Sequence, residues 1–410
     1  MKNAKTTAII GGGAAGLAAA CFLARAGVKT VLLEKQSRVG RKLLSTGNGR
    51  CNLSNLHAAP ENYHGGAEAI RAALAAFPPE KTVGFFESLG VRCVPDEEGR
   101  VYPAGNAAAG VLDALRLYAD EHGCETVAEF DAVKLQPKGN RYEITAADGR
   151  RIEADFVIVA CGGLAAPKLG GGSGGYKLLE ALGHRITPKY PAIAALKTDP
   201  EAVRALKGIR MHGEISLVCE GKTVRTEKGE ILFGDGAISG IAAMQLAREV
   251  NLRLNRKQTC DARLNFLPGA AADAIDARAN LLPKRTMDDF LSGLVPKRLG
   301  QVIIKEAGIS PLTLLAEELM PAQRDSILKT LTGWTLSVRG TLGFDAAQVT
   351  CGGADLRDFD ARTLESKKAR NVFAAGEVLD VDGDCGGFNL QWAWSSAVLC
   401  AAEILARNKT

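Results

Sequence analysis

Polar and apolar positions alternate in long blocks along this chain. Residues 6–10 are an uncharged, apolar-leaning run that stops at the triplet Gly11-Gly-Gly13, and an alanine- and leucine-rich stretch resumes through Ala24. After Gly27, Lys29–Leu33 is a second apolar run ending at Glu34. Short apolar runs bounded by glycine predict buried strands, and the longer stretch between them predicts a helix. Helical periodicity recurs over 67–90 and 106–122, on either side of the turn-rich Pro95–Pro103. Strands are expected near 125–135 and 140–146, and Asp155–Gly163 is an apolar strand running into a glycine turn. The glycine-rich Gly170–Gly175 then leads into a helix ending near Gly183 and His184.

Around Pro188 the pattern changes. Period-two alternation over 192–198 and 213–233, with turns at Glu220-Gly and Lys228-Gly, predicts antiparallel strands. A helix-like piece (238–249), a strand (259–266), several short helices over 270–332 and strands near 334–339 and 347–351 complete an insert that is part β and part α. The first style then returns. Asn371–Glu377 is a buried strand ending in Gly-acid, Asp380–Asn389 a tight polar loop, and Leu390–Cys400 a helix with two aromatic and several small residues.

Composition narrows the class. The chain has 410 residues, enough for two or three domains, and its 46% hydrophobic and 24% charged residues are those of a globular protein. A net charge of +5 with interspersed signs gives no concentrated basic patch, so no nucleic-acid partner is expected. Residues 6–24 are uncharged and follow Lys2 and Lys5, which mimics a targeting peptide or anchor, and Ala18–Cys21 resembles a lipoprotein cleavage box. Three glycines inside the run, and the strand and acid after it, favour a nucleotide-binding unit, and no membrane association is expected. None of the ten cysteines forms C-x-x-C or C-x-x-x-x-C, which speaks against a zinc ribbon or a flavin-linked disulfide pair. They read as reduced packing groups in a cytoplasmic protein, Cys51 and Cys385 included despite their glycine-rich settings. No metal site is expected.

The candidate chemistry begins at Gly11, Gly13 and Gly16, which supply G-x-G-x-x-G between a strand and a helix. In such a unit the first glycine allows the turn, the second lets backbone approach a pyrophosphate, and the third lets helix and strand pack closely. Glu34 is placed for an adenosine ribose. The loop Arg38–Asn52, rich in Gly, Ser/Thr, Asn and cations, offers N–H groups and positive charge to an anion. At the other end, acids, Gly386-Gly387 and a following helix fit a flavin: acids reach ribityl hydroxyls, and the helix's positive end faces the ring edge that gains charge on reduction. Both ends together favour FAD over NAD.

These segments also carry a family resemblance. Ile9–Gly16, Gly40–Asn52, Ala160–Gly163, Gly229–Phe233, Ile238–Gly240, Glu365–Lys367 and Phe373–Ser396 resemble the bacterial FAD-dependent oxidoreductases of the BaiN-like reductase and aminoacetone-oxidase family, in the glutathione-reductase-like superfamily. The resemblance implies an α/β fold: a Rossmann-type FAD domain (1–190 plus 352–410), an inserted β-barrel-like domain (191–269 plus 333–351) and a small helical domain (270–332). It implies that Arg41 and Lys42 lie near the pyrophosphate, and that Thr46, Gly47, Asn48, Arg50 and Asn52 line the isoalloxazine. Glu377 and Asp380 would approach the ribityl or pyrophosphate, and Gly387, Phe388, Asn389 and Leu390 the pyrimidine end. Ala14, Ala15, Lys35, Val127, Ala160, Gly162, Gly376 and Gly386 complete the expected non-covalent FAD site. The segment Leu232–Ile241 departs from the family pattern, lacking its Thr and Pro.

The expected activity is hydride transfer between flavin and a small organic substrate held between the FAD domain and the insert. A transient NAD(P)H donor and enone-type reduction stand beside oxygen-dependent, aminoacetone-like amine oxidation, and beside a non-catalytic or tRNA-associated flavoprotein. No second complete βαβ fingerprint for NAD(P)H is legible. No catalytic residue stands out; His57, His64 and His212 are named only for the chemistry of imidazole. Oligomeric state is not legible.

Overall fold

The computed structural model describes residues 5–408; Lys2 and the outermost residues of the expected Rossmann boundaries lie outside them. The chain divides into two compact units at Tyr190/Pro191 and at Ala347/Gln348.

The first unit is built on a five-stranded parallel sheet of β1 (Thr6–Ile10), β2 (Lys29–Leu33), β3 (Glu125–Val127), β4 (Phe156–Val159) and β5 (Val372–Ala374), in the order β5-β4-β1-β2-β3. All four pairings are parallel, so the carboxyl ends of the five strands share one edge. The chain order reverses between β1 and β4, the switch point where doubly wound sheets bind ligands. β4 and β5 are shorter than the apolar runs 155–163 and 371–377 suggested, the single strand expected near 125–135 is β3 and a separate strand, Ala132–Lys138, and β1 and β4 are buried throughout.

Helix α1 (Ala14–Ala24) carries no charge because it is buried on nearly every side. One neighbour is the C-terminal helix (Phe388–Asn408), whose Trp392 and Trp394 are among the largest fully buried side chains. Another is an aromatic layer in which Phe22 meets Phe77 and Phe85 at 5.4 and 4.8 Å, and Phe86 meets Trp394 at 5.2 Å. The periodic stretch 67–90 is two helices, Ala67–Ala76 and Pro79–Ser88, rather than one. Pro78 has no N–H to continue the first, and Pro79 opens the second at a position that suits proline.

The second unit holds a seven-stranded antiparallel sheet that includes Arg210–Cys219, Lys222–Phe233, Cys260–Asn265 and Trp334–Ser337. The turn expected at Lys228-Gly is absent. The strand continues through Gly229, whose φ of +144° a glycine accepts without strain. The helix-like piece 238–249 opens instead as a strand, Ala237–Ser239, before the helices Ile241–Gln245 and Ala247–Asn255. Short helices at Ala274–Leu281, Lys297–Glu306 and Pro321–Gly333 occupy the expected helical region. No helix among the described residues is long and apolar enough to cross a membrane.

His184 gives the first unit a pH-dependent component. Its ring is buried, stacks on Phe359 at 4.5 Å and contacts the Ser366 hydroxyl through Nε2 at 2.8 Å. Burial, opposed by Asp358, holds its pKa below the ordinary 6.5. The unfolded chain therefore binds the extra proton more readily, and stability contributed above pH 6.5 is lost as pH falls through the depressed folded value. Melting temperatures measured between pH 7.5 and 5.5 should fall more for wild type than for His184→Gln; equal slopes would show that this histidine does not carry the effect.

Candidate functional site

The glycine turn owes its shape to contacts that a side chain would destroy. A Cβ on Gly16 would stand 1.9 Å from the Gly11 carbonyl oxygen, and one on Gly11, whose φ is +110°, would stand 2.5 Å from that of Ala160. Only hydrogen at these positions lets α1 start directly above the ends of β1 and β4. Gly13 is different: its φ is −84°, and a Cβ there would meet nothing within 4 Å. It is half-buried beside Ala14, at the N-terminus of α1, whose free N–H groups and dipole suit an anion.

Backbone hydrogen bonds knit this edge together. Gly11 N–H donates to the Leu33 carbonyl at 2.8 Å, Glu34 N–H to Val127 at 3.0 Å, Ala160 N–H to Ile10 at 2.8 Å and Gly40 N–H to Gly12 at 2.8 Å. The buried Glu34 carboxylate accepts from the N–H of Gly12 at 2.8 Å and of Gln36 at 2.8 Å. It therefore clamps the glycine turn from below while keeping acceptor capacity, since a carboxylate offers about four lone-pair sites. Exposed Lys35 reaches Gly172 of the glycine-rich stretch, its Nζ lying 3.2 Å from where a Cβ would be, and Gly162 turns at φ +70° with open space around it. Arg41 is exposed and donates to Gln36 Oε1 at 2.5 Å.

Glu377, beyond the end of β5, is a hub. Its Oε2 pairs with Lys42 Nζ at 2.6 Å, and its Oε1 accepts from Thr350 N–H at 2.9 Å. Thr350 Oγ1 in turn accepts from the N–H groups of Leu164 and Ala165 at 2.8 and 3.0 Å. The segments carrying Lys42 and Leu164–Ala165 and the strand Val349–Cys351 are thus tied to one carboxylate. The Tyr176 hydroxyl close by is buried with no hydrogen-bond partner, and burial, reinforced by Glu377 and Asp380, pushes its pKa up. Gly376, with φ +74°, brings the end of β5 onto the first turn of α1: a Cβ there would be 2.9 Å from that of Ala15.

The loop Leu43–Gly49 is a kinked 3-10 segment in which Gly47 and Asn48 are left-handed, as is Cys51 just after it. Arg50 lies 4.6 Å over the Tyr102 ring. This loop meets the C-terminal segment directly. With its amide oriented to satisfy both groups, Asn52 donates to the Ser54 carbonyl at 2.9 Å and accepts from Gly387 N–H at 3.2 Å. Asn55 donates to the Gly386 carbonyl at 3.0 Å, Ser54 to Gln391 Oε1 at 2.6 Å, and Tyr63 to the Phe388 carbonyl at 3.0 Å. Asn389 folds back to accept from Gly383 N–H and donate to its carbonyl, both at 2.8 Å. Asp380 donates its N–H to Ala354 at 3.0 Å, and Leu390 is half-buried on the helix's first turn.

The expected residues therefore gather along one edge from both chain ends, with Thr46 to Arg50 and Asp384 to Gly387 partly open. The histidines do not form a constellation. His57 is exposed, His64 is half-buried with Nε2 3.9 Å from Asp384 Oδ1, and His212 is exposed on a strand of the second unit. Sequence reasoning missed Thr350, Tyr176, Ser54 and Gln391. Only Gln391, polar among the apolar positions of a helix, carried a local signal. Cys51 is fully buried, and burial pushes its thiol to about 12; the Cys385 thiol is pushed to about 11 for the same reason. Both stay protonated at neutral pH, as packing groups would.

A glycine turn at a sheet's switch point, an acid ending the second strand and a return strand from the far end of the chain define a dinucleotide-binding Rossmann protein of the flavoprotein oxidoreductase class. The chain belongs to the family described as HI0933-like protein Rossmann domain, whose model matches residues 5–403. It is 35% identical over 408 residues to the 3-dehydro-bile acid delta(4,6)-reductase of Clostridium scindens, covering 97% of this chain and 98% of that one. It is 29% identical to the ribosomal RNA dihydrouridine synthase of Escherichia coli, with 97% of each covered. Among solved structures, the 3-ketosteroid delta1-dehydrogenase of Sterolibacterium denitrificans aligns with a TM-score of 0.52 at 11% identity, over 98% of this chain and 100% of that one, a likeness of fold.

The edge fits an FAD in its chemistry: the N–H groups at the start of α1 for a pyrophosphate, an anchored carboxylate for a ribose, and a Gly-Gly helix start for the ring. The two glycines separate fold from ligand. Gly13→Ala should leave the melting temperature of FAD-free protein within about 2 °C of wild type while weakening FAD binding about tenfold or more. Gly16→Ala should lower the melting temperature itself by more than about 5 °C. Differential scanning fluorimetry and FAD titration read both, and equal effects of the two substitutions would contradict this division.

Proposed function

We propose that the protein is an FAD-dependent reductase that saturates a carbon–carbon double bond conjugated to a carbonyl in a small apolar substrate, with NAD(P)H as transient electron donor. The observation that carries this reading is the end-to-end identity with a delta(4,6)-reductase, 35% over 97% of the chain. The rRNA relative supports the bond type: dihydrouridine is uridine with its C5–C6 bond saturated, and that bond too is conjugated to a carbonyl.

FAD, when bound, supplies two-electron chemistry, carrying a hydride between donor and substrate. The chain's own residues hold and polarise it. Gly11, Gly13 and the N-terminus of α1 receive the pyrophosphate, with Arg41 and Lys42 as nearby cations, and Glu34 takes the ribose. Gly386, Gly387 and the start of the C-terminal helix would lie against the ring's pyrimidine edge, where the helix's first-turn N–H groups and positive dipole end would favour the reduced, anionic form. Asn52 and Asn389 fix that loop through the bonds described above. We assign the three-part division to the same reading, with 191–269 plus 333–351 as a barrel-like domain and 270–332 as a helical one, and place the reaction in the cytoplasm.

A second reading, reduction of uridine in RNA, draws on the 29% identity with the rRNA dihydrouridine synthase over 97% of both chains. One experiment addresses both. FAD-loaded protein is mixed anaerobically with NADH or NADPH, then with a panel of 3-keto-4-ene steroids or with undermodified rRNA. The proposal expects bleaching at about 450 nm by at least one nicotinamide, reoxidation by an enone, and a product heavier by about 2 Da. Reoxidation by rRNA alone, with a uridine mass gain, would transfer the assignment to the second reading. Failure of both nicotinamides to bleach would overturn the reductase.

A further inference from the structure

In the second unit, Cys219 is the last residue of the strand Arg210–Cys219 and Cys260 the first of Cys260–Asn265. These strands are antiparallel neighbours, and their register sets Cys219 directly opposite Cys260. Opposed residues in such a pair have Cα atoms about 4.5–5.5 Å apart, inside the roughly 4.4–6.8 Å that a disulfide spans, so no backbone movement is needed to join them. The side chains already converge, with Sγ to Sγ at 3.1 Å, one thiol donating to the other. Three other buried or part-buried thiols are taken up by carbonyls: Cys21 donates to Leu115 at 3.3 Å, Cys161 to Ile10 at 3.3 Å and Cys400 to Ala374 at 3.4 Å.

Both cysteines are only 4% exposed, yet they lie one residue inward from the surface. Cys219 precedes the hairpin turn at Glu220-Gly221, and Cys260 follows Thr259. Exposed Glu220 bolts the two segments together, its Oε1 accepting from the N–H of Thr259 at 2.6 Å and from its hydroxyl at 2.9 Å. A small uncharged oxidant thus has a short path to the pair through local opening of the turn. Burial, with the bond to Cys219 and the charge of Asp261 against that of Arg253, pushes the Cys260 thiol to about 12, so Cys260 rests protonated.

We propose that Cys219 and Cys260 form an oxidation site, a dithiol that closes to a disulfide on reaction with hydrogen peroxide. One thiol, deprotonated on opening, attacks a peroxide oxygen; the O–O bond breaks, hydroxide leaves and takes up a proton, and that sulfur becomes a sulfenic acid. The second sulfur then attacks it, the S–O bond breaks and water departs with the second thiol's proton. Two thiols are oxidised by two electrons in all, and one peroxide becomes two waters. The product staples the tip of the hairpin to its neighbouring strand, and it requires nothing from the flavin edge.

The test uses the full-length native protein with FAD, treated with graded hydrogen peroxide, alkylated and digested. The site predicts a loss of about 2 Da that maps to a Cys219–Cys260 cross-link and is reversed by dithiothreitol. Cys219→Ala and Cys260→Ala should each abolish that loss while other thiols still oxidise. If either variant fails to fold, the wild-type map decides alone. Stable sulfinic acid at either position without a cross-link would overturn the proposal. So would a cross-link between other cysteines only, or both thiols left intact after more exposed ones have reacted.

Discussion

The first unit depends on one close approach: Gly16 against the carbonyl of Gly11, where any side chain would stand 1.9 Å from oxygen. That contact sets how near α1 starts to the sheet, and the rest of the edge is positioned from it. Gly376 can rest on Ala15 only because α1 is already there. Gly376 N–H then donates to Ser396 Oγ at 2.9 Å, and Trp392 Nε1 donates to the Gly376 carbonyl at 3.1 Å, which seats the C-terminal helix beside α1. A chain of contacts thus runs from the first turn of the sequence to its last helix.

The consequence for function is that both chain ends build one edge. Trp394 Nε1 donates to Leu53 at 2.8 Å, and Ser54, Asn52 and Asn55 reach Gln391, Gly387 and Gly386, so the loop after β2 and the start of the final helix are held as one piece. The buried polar groups in this joint are paired, which matters because each unpaired one would cost about 1–3 kcal/mol. A site held this way is pre-organised: the groups expected to face pyrophosphate, ribose and ring are placed by protein–protein bonds before any ligand arrives. Glu34 and Glu377 illustrate the principle. Each was expected to serve a cofactor, and each also ties loops together.

Much of this was legible in sequence because the relevant constraints are local. The strand, glycine turn, helix and acid of residues 6–34 follow from patterning and from the intolerance of Gly11 and Gly16 for a side chain. The C-terminal strand and helix were equally plain, but Val381–Gly383, read as part of a polar loop, is a buried strand paired with Tyr63–Gly65, and the helix starts at Phe388 rather than Leu390. Boundaries failed where one residue outweighed the periodicity: Pro78 divided a helix, and Gly229 allowed a strand to pass through an expected turn. Long-range partners were not legible at all. Thr350 serves Glu377 across 27 positions, and Ser54 reaches Gln391 across 337; neither has a local signature. Tyr176 looked like an ordinary aromatic helix residue, and only burial shows that its hydroxyl lacks a partner.

The central claim is that one extended FAD site is shared between the two ends of the chain. A crystal structure of the protein grown with FAD tests it most directly. The adenosine ribose should lie at Glu34, the pyrophosphate over Gly13 and the N-terminus of α1, and the pyrimidine edge of the ring against Gly386–Leu390. FAD bound with its ring away from the C-terminal helix, or with its adenine at that helix and its ring at Glu34, would contradict it.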